Sequence, residues 1–371
     1  MTVLFVSEAI DVHCNAMQWA LQKLGVASDL WSVGDFPLTH NTSIRLRPTA
    51  SRPEITVDGL SDPDRYQTVW NRRPVRPETL SQSLAREDRE MCLLEARSFI
   101  ENLKPVLAPS AVWLNPHEAR RRASSKALQL DTAARVGFSI PETLISNNYD
   151  DVRSFIRGNP GRVIYKSFQQ AAWENRAARE SYRNFTTTVS ESDIGEAVSV
   201  TSCPGIYQTV IPKRSELRVT FFGCTFYAMR IFSQESKKGR LDWRSDLERE
   251  ARTEVAVLSK PTLDKCREFV FDMGLLHGSM DFIEDMSGDV VFLEVNEMGQ
   301  FLWLEDFHPE IPLLSTAAAF SLEPVAEFEM DRQRLPQLTM EEYRSSEMFA
   351  RFQAIWDKYV ADGIYPQVYV E

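Results

Sequence analysis

The sequence predicts a mixed α/β protein of about two or three domains. Its 371 residues exceed the roughly 100–200 residues of one domain. Apolar runs alternate with helical spacings in the first part of the chain, and runs of β-branched and aromatic residues dominate the region after residue 205. A hydrophobic content of 43% and a charged content of 26% are those of a folded chain with a sizeable core, so general disorder is excluded.

Composition and charge exclude several functional classes. A formal net charge of −11 gives no general attraction to nucleic acid. No uncharged apolar run approaches the roughly 18 residues of a membrane span, and the first residues, MTVLFVSEAID, indicate a strand rather than a signal peptide. The five cysteines are scattered without a CxxC, which favours a reducing cytoplasm over a disulfide framework. The scattered histidines argue against a zinc site.

Phosphate-binding loops of the usual kinds are absent from the sequence. No GxGxxG follows the first strand, and no GxxxxGK[ST] occurs. Two arginine groups, at 72, 73 and 76 and at 120–122, could hold an anion, although a solvated face is the favoured interpretation of each.

The first block is predicted to be a βαβ unit that is followed by less regular chain. A strand is predicted at 3–6, a helix at 12–24 that ends at Gly25, and a second strand at 29–33. Three further predictions are a loop or hairpin at 40–65, a short strand at 68–71, and a long amphipathic helix at 78–103.

The central region is predicted to alternate between strands and helices. Ser124 or Ser125 can cap a helix that runs to Arg135, with Gly137 beyond its end. Around it we expect a short segment at 113–116, strands at 138–141 and 162–166, a helix at 149–157 between them, and helix and loop at 169–184.

After residue 205 the sequence predicts mostly strands. Strands are expected at 206–211, 217–222, 225–232, 278–284 and 290–296. A helix at 263–273 is expected to turn four apolar residues inward, Cys266, Phe269, Val270 and Met273. The end of the chain, 326–371, is expected to be mostly helical, with a segment at 343–359 that caps the fold, forms an interface or helps to hold substrate.

The last two strands carry the strongest chemical signal. A two-residue loop at Ser287–Gly288 places Asp281 directly opposite Glu294, with Cβ atoms about 4.5–5.5 Å apart. Asn296 lies two residues further along the same face. Two acids and an amide oxygen form a site suited to Mg²⁺ and phosphate.

The opposite face of this hairpin favours such a buried site. It carries Phe282, Leu293 and Val295, which suit a core, and the strand continues into the bend at 296–299. The alternative interpretation is an exposed acidic face.

Cationic residues complement the two acids. Lys126 begins a helix, which is unfavourable unless an anion lies nearby, and Lys166 ends an apolar strand. A three-residue loop at 223–225 would make Arg218 face Arg230 across a bridging anion, whereas a two-residue loop would put them on opposite sides. Arg244 follows a segment at 234–240 that is expected to be mobile. Surface or ion-pair roles remain the alternative for each cation.

The order of these motifs resembles that of the ATP-grasp carboxylate–amine ligases. It runs from the helix lysine through the strand lysine, the Gln208 strand, ELR, DWR and GxxDF to LEVN, over about residues 110–322. Within that family the chain is most similar to the maturases of graspetides, ribosomally made peptides that are cyclised through side-chain esters or amides. The stretches that carry this resemblance are GDFP (34–37), VWNRRP (69–74), SKALQLDTAARVGFSIPETLISN (125–147), VIYKSF (163–168), LDWR (241–244) and FLEVNEMGQFLWLE (292–305).

The ligases that add glutamate to a ribosomal protein are the next relatives. Residues 244–247 resemble their R-S-N-L neighbourhood, but Asp246 replaces the asparagine and the Gly-Gly that follows it is absent. Both departures favour the maturase branch.

The resemblance implies an α/β (α+β) architecture with an ATP-grasp fold, a pre-ATP-grasp βαβ domain and a helical C-terminal extension. The corresponding boundaries are 1–110, 111–204, 205–325 and 326–371. It also implies ATP and Mg²⁺, with roles for particular residues. The implied metal ligands are Asp281, Glu294 and Asn296. The implied nucleotide contacts are Lys126 and Lys166 for phosphates, Gln208, Thr209 and Val210 for adenine, and Lys213 or Glu216 for ribose. The implied contacts of the γ-phosphate and acyl phosphate are Arg218, Arg244 and, as a third candidate, Arg230.

The implied reaction activates Asp or Glu side chains of a precursor peptide and joins them to Thr or Ser hydroxyls or Lys amines. A leader-binding groove is expected near Arg176, Arg179 and Arg183, and a lid at 234–245. A cytoplasmic homodimer with no nucleic-acid or membrane partner is expected. The alternatives are a ligase of free amino acids or small acids, an enzyme that adds amino acids to a protein tail, and a non-catalytic binding module.

Overall fold

The computed structural model is organised around three main β-sheets. The residues that it describes are 1–60, 62–72, 80–81, 83–168, 172–175, 180–183, 186–237, 239–243, 251–331, 333 and 337–361, with the backbone alone at 35, 172–175 and 180–183.

The strands of the described residues are β1 (Thr2–Ser7), β2 (Ala27–Ser32), β3 (Thr42–Arg45), β4 (Glu54–Val57), β5 (Thr68–Asn71), β6 (Val112–Leu114), β7 (Thr143–Ser146), β8 (Val163–Lys166), β9 (Ala172–Asn175), β10 (Glu180–Arg183), β11 (Thr187–Thr188), β12 (Gly205–Thr209), β13 (Lys213–Phe222), β14 (Thr225–Ile231), β15 (Thr253–Ala256), β16 (His277–Asp285) and β17 (Val290–Asn296). The helices are α1 (Val12–Lys23), α2 (Arg89–Leu103), α3 (His117–Ala123), α4 (Lys126–Arg135), α5 (Tyr149–Gly158), α6 (Ala197–Thr201), α7 (Lys260–Met273), α8 (Leu302–Phe307), α9 (Leu313–Leu322), α10 (Met340–Arg344) and α11 (Glu347–Ala361).

The first sheet confirms the predicted βαβ unit. Its parallel strands have the order β2-β1-β5-β6, and α1 connects β1 to β2. Asp11 caps α1 by accepting the backbone N–H groups of His13 and Cys14. The excursion after β2 is the β3–β4 hairpin.

Two sequence predictions in this part of the chain are wrong. The helix predicted from residue 78 begins at Arg89, because Ser81 and Ser83 bond to each other and to the local backbone instead of joining a helix. The run at 138–141 forms a single bridge, Ser139 to Val291, and the strand follows at β7. Phe138 packs against core phenylalanines, which explains the apolar run without a strand.

The second sheet has the order β11-β8-β12-β7. Residues 172–175 and 180–183 differ from the predicted helix and loop, because they form the antiparallel pair β9–β10. Trp173 lies directly opposite Tyr182 in this pair, and aromatic residues favour strands. The first sheet extends to Leu114, and β12 belongs to the second sheet.

The third sheet has the order β15-β14-β13-β16-β17 and positions the site. One face carries Leu217, Val219 and Phe282 in a core with α4 and α7, where the four predicted inward residues of α7 are all buried. The other face packs at one end, through Phe222 and its neighbours, against α1 and α9.

The C-terminal extension packs on the first domain. It is helical in α10 and α11, as predicted, but the proposed single segment is divided at Ser345–Ser346. The Tyr343 hydroxyl donates to Asn15 of α1 at 2.8 Å, and its ring lies 5.9 Å from that of Trp19.

Two further expectations can be compared with the described residues. None of the helices within the described ranges has the length and apolar character that a membrane span requires. All five cysteines fall within these ranges, and none of them forms a disulfide bond.

Candidate active site

The strand pair β16–β17 brings the two predicted acids together. Asp281 lies directly opposite Glu294, and Ser279 opposite Asn296. The predicted loop is nevertheless wrong, because three residues, 286–288, separate Asp285 from Asp289. The Asp285 carboxylate accepts the N–H groups of Ser287 and Asp289 and thereby closes this wider turn.

A β-bulge restores the pairing that the longer loop would displace. The register shifts between Asp281 and Phe282, so Leu293 is an extra residue in β17. Phe292, rather than Leu293, therefore joins the core opposite Phe282. Asp281, Glu294 and Asn296 remain on the face that the sequence predicts.

Each acid has a cationic partner. Nη1 of Arg218, which lies opposite Asp281 on β13, donates to both Asp281 oxygens at 2.9 and 3.0 Å. Nζ of Lys126 donates to Oε2 of Glu294 at 2.5 Å. Lys126 is the first residue of α4, whose N-cap is Ser125 as predicted, and the Glu294 carboxylate supplies the anion that a lysine at this position requires.

Asn296 lies on the same face as the two acids, but its side-chain oxygen already accepts two hydrogen bonds. Its Oδ1 accepts the N–H groups of Met298 at 3.2 Å and Gly299 at 3.0 Å. Because a carbonyl oxygen has two lone pairs, a cation at Oδ1 would replace one of these bonds. Gly299 is required here, since a Cβ at this position would meet Ser279 Oγ at 2.6 Å.

Arg230 lies apart from this cluster. The β13–β14 loop has two residues, Gly223 and Cys224, so Arg230 is opposite Leu217 and faces away from Arg218. Of the two loop lengths that the sequence leaves open, the structure has the two-residue one, so the two arginines do not face each other. Arg230 bonds instead to Glu254 at 2.5 Å and to Glu284 at 2.9 Å.

The two ribose candidates pair with each other. Lys213 Nζ donates to Glu216 Oε1 at 2.7 Å and to the carbonyl of Leu241 at 3.1 Å. Burial raises the pKa of the Glu216 carboxyl, and Lys213 opposes that rise. Lys213 also connects the third sheet to the segment at 234–245 that the sequence predicts to be a lid.

The adenine candidates lie on the second sheet. Gln208 is buried in β12, where its Nε2 donates to Thr143 at 3.0 Å. The N–H groups of Thr209 and Val210 donate to the carbonyls of residues 142 and 162, so those two N–H groups already have partners. Lys166, half-buried at the end of β8, lies opposite Ile206.

Several predicted residues lie outside the described ones. They are Arg73, Arg76, Arg176, Arg179 and Arg244, while Arg183 has a described backbone at the end of β10. Part of the predicted lid is described. Asp242 accepts a bond from the Thr186 hydroxyl at 3.1 Å, and the Trp243 ring lies 5.3 Å from that of Trp303.

The structure also contains side chains near the site whose contacts the sequence did not predict. Asn115 and His13 bond to the backbone of the chain just after Asn296. Arg72 is completely buried and bonds to the same segment, so it is not part of a solvated face. Arg120 is half-buried beside Glu297 at 3.8 Å, whereas Arg121 is exposed. Only the position of Arg72 within VWNRRP, a stretch that resembles the maturases, pointed toward this network.

The donor set of the site fits a hard divalent cation. Within the described residues, no group of three or more His, Cys, Asp or Glu side chains could hold a metal ion. The cluster has two facing carboxylates and one amide oxygen, which are the oxygen ligands that Mg²⁺ accepts alongside water and phosphate.

Comparison with known proteins identifies the architecture. No protein-family model and no curated protein matches the chain. Among solved structures, the macrocyclase MdnC of Microcystis aeruginosa MRC, bound with precursor peptide MdnA, superposes with a TM-score of 0.76 at 26% identity, over 88% of this chain and 100% of that one. The chain has the ATP-grasp fold and resembles the graspetide macrocyclases.

Two further structures agree with this assignment. The macrocyclase MdnB of the same organism is 28% identical, with a TM-score of 0.71 over 86% of this chain and 99% of that one. An ATP-grasp ligase from Chryseobacterium gregarium, associated with RiPPs and in complex with ADP and a leader and core peptide, has a TM-score of 0.78 at 23% identity, over 87% of this chain and 97% of that one. The ATP-grasp fold therefore covers most of the chain.

Proposed function

We propose that this protein is an ATP-dependent ligase that forms macrocycles in a ribosomally made precursor peptide. It activates Asp or Glu side-chain carboxylates as acyl phosphates and joins them to Thr or Ser hydroxyls or Lys amines. The observation that carries the proposal is the facing pair Asp281–Glu294, neutralised by Arg218 and Lys126, within the fold of the peptide macrocyclases.

ATP and Mg²⁺ are the expected partners of this cluster. Asp281, Glu294 and Asn296 would hold Mg²⁺, because they present oxygen donors on one face of the sheet. When bound, Mg²⁺ would offset the negative charge of the triphosphate.

Arg218 and Lys126 supply positive charge next to the acids. Both are committed to carboxylates in the absence of ligand. If a cation takes over the two carboxylates, the guanidinium and ammonium groups become free to bind phosphate oxygens and the developing acyl phosphate. A carboxylate is a poor electrophile and an acyl phosphate a good one, so charge stabilisation and positioning are sufficient and no protein nucleophile is needed.

Water must be kept from the acyl phosphate, which hydrolyses. Residues 239–243 are suited to this role because they contact both the second and the third sheet. Asp242 bonds to Thr186 beside β11, and Lys213 of β13 bonds to the Leu241 carbonyl. Trp243 adds an apolar contact with Trp303.

Peptide processing also implies recognition of a leader segment. We place this recognition at the β9–β10 pair, where Arg183 ends β10 and where Arg176 and Arg179 lie in the undescribed connection. Arg183→Ala should weaken binding of a fluorescent leader peptide and leave ATP affinity unchanged. Arg157→Ala is the matched control, because Arg157 is exposed on α5 and pairs with Glu191. Equal leader affinity in both variants would contradict this location.

The proposed activity is tested by intact mass. The substrate is a synthetic peptide that corresponds to the short acidic, threonine-rich open reading frame nearest the gene, incubated with enzyme, ATP and Mg²⁺. We expect losses in multiples of about 18 Da, one water for each bond, that disappear with Glu294→Gln. ATP hydrolysis without a mass change, or a gain equal to an added amino acid, would favour a ligase of small substrates.

Light scattering of the same samples tests the expected homodimer.

A further inference from the structure

The chain that follows Asn296 is held by side chains from distant parts of the molecule. Asn115 Nδ2 donates to the carbonyl of Glu297 at 2.8 Å. Arg72 Nη1 donates to the next two carbonyls, those of Met298 at 2.7 Å and Gly299 at 2.6 Å. These three successive peptide groups are therefore fixed from outside their own sheet.

The next three residues of the same segment also bond to distant side chains. Arg218 Nη2 donates to the Gln300 carbonyl at 3.1 Å. His13 Nε2 accepts the N–H groups of Phe301 at 3.0 Å and Leu302 at 3.2 Å. We call residues 296–302 the site bend; the backbone at each position from 297 to 302 bonds to a side chain from elsewhere in the chain.

Arg72 is itself rigidly anchored. Its side chain is completely buried, and its Nε lies 3.0 and 3.2 Å from the two oxygens of Asp11. Asp11 also accepts the Ser7 hydroxyl at 2.9 Å and caps α1. The Arg72 guanidinium therefore connects β1 and α1 to the site bend through direct hydrogen bonds.

The connection to Asn296 runs through Met298 and Gly299. Their N–H groups bond to Asn296 Oδ1, while their carbonyls accept from Arg72. We propose that Arg72, anchored by Asp11, is a positioning residue that sets the Asn296 amide in the Mg²⁺ site from the first domain. This inference rests on the proposed function and deepens it, because it assigns Arg72 of the VWNRRP stretch to orientation of a metal ligand. Groups that orient metal ligands tune affinity without contacting the metal.

Two variants separate orientation from folding. Arg72→Lys keeps the charge next to Asp11 but loses the planar guanidinium, whose Nε contacts Asp11 while its Nη1 contacts the two carbonyls. Asp11→Asn keeps a side chain that caps α1 and removes the charge that anchors the guanidinium. Arg65→Lys is the matched control, because Arg65 pairs with Asp29 in the same domain and touches no residue of the site bend.

The experiment measures Mn²⁺ binding by electron paramagnetic resonance, with and without ADP, in each purified protein. We expect nucleotide-dependent Mn²⁺ affinity to fall about 10–100-fold in Arg72→Lys and in Asp11→Asn, and to stay unchanged in Arg65→Lys. Hydrogen exchange of metal-free protein should show faster exchange in the peptide that covers the site bend for the first two variants only.

The outcomes distinguish the inference from the function on which it rests. Wild-type Mn²⁺ affinity and wild-type exchange in both Arg72→Lys and Asp11→Asn would overturn the role of Arg72. Absence of nucleotide-dependent Mn²⁺ binding in the wild-type protein would instead overturn the proposed function. Because Asp11→Asn retains the helix cap, it decides the question if Arg72→Lys does not fold.

Discussion

Asp281 and Glu294 lie directly opposite each other, although the loop between their strands is one residue longer than the sequence predicts. Two carboxylates in this arrangement repel each other unless cations compensate them. Arg218 compensates the first and Lys126 the second, but in different surroundings. The side chains of Arg218 and Asp281 are 3% and 4% exposed, whereas those of Lys126 and Glu294 are 28% and 22% exposed.

This difference predicts that the two acids have unequal effects on stability. Asp281→Ala leaves Arg218 buried without a counter-charge and should lower the free energy of unfolding by about 3–5 kcal/mol. Glu294→Ala leaves a lysine that can reach water and should cost less than about 1 kcal/mol. Both variants should lose the ligase activity. Urea denaturation beside the mass assay measures this, and equal stability losses would contradict the buried pairing of Asp281.

Arg218 and Arg230 lie on opposite faces of the third sheet, so we expect them to have different roles. Arg218→Lys should lower the rate of peptide dehydration at least about 100-fold, because it removes the planar guanidinium that contacts Asp281 and Gln300 in the proposed metal and phosphate site. Arg230→Lys should retain most of the rate, since Arg230 bonds to Glu254 and Glu284 on the other face. Steady-state kinetics decides between them. A comparable loss in Arg230→Lys would show that the opposite face also serves catalysis.

Glu305 predicts a pH dependence of stability. It is 3% exposed and accepts the N–H groups of Leu314 and Met340 at 2.8 and 2.9 Å, which join α8 to the starts of α9 and α10. Burial raises the pKa of this carboxyl from 4.5 to about 7. Between these values the unfolded chain releases the proton and the folded protein keeps it, so the stabilisation is complete below the unfolded pKa and is lost as the pH rises through 7.

The corresponding measurement compares wild type with Glu305→Gln, which does not titrate. The difference in unfolding free energy between them should fall by about 3 kcal/mol as the pH is raised from roughly 5 to 8. Parallel stability curves for the two proteins over this range would contradict the raised pKa.

Gln129 bonds to the backbone at the outer edge of the third sheet, so its substitution should lower the free energy of unfolding. Its amide accepts the Val295 N–H at 2.8 Å and donates to the Val295 carbonyl at 3.0 Å, next to Glu294. Gln129→Leu leaves both backbone groups buried without partners and should lower the free energy of unfolding by about 2–4 kcal/mol. Leu128→Ala tests a half-buried apolar neighbour on the same helix. A smaller loss for Gln129→Leu than for this control would contradict the edge-capping role.

Helices with clear spacing and caps were predictable from the sequence. The bounds of α4 follow from Ser125 and Gly137, and the inward face of α7 follows from apolar residues three and four apart. The fold and its relatives were likewise predictable, because several short motifs in a fixed order are more specific than any one of them.

Loop length was less predictable because it depends on single side chains. The pair Asp281–Glu294 was predicted from a two-residue loop. It forms because the extra residue in the Asp285 turn is offset by the extra residue in the Leu293 bulge, which restores the pairing register. For Arg218 and Arg230 no bulge intervenes, so the length of the loop after Phe222 alone decided their faces. The site bend could not be predicted, since the contacts of His13 and Arg72 with it span more than two hundred residues of chain.

The central claim is that a peptide carboxylate is activated as an acyl phosphate. It is tested by labelling the Asp and Glu side-chain carboxylates of the precursor peptide with ¹⁸O and analysing the phosphate that is released. We predict about one ¹⁸O atom in phosphate for each bond formed, because the carboxylate oxygen that receives the phosphoryl group leaves with it. Unlabelled phosphate from a peptide that has lost water would contradict this mechanism.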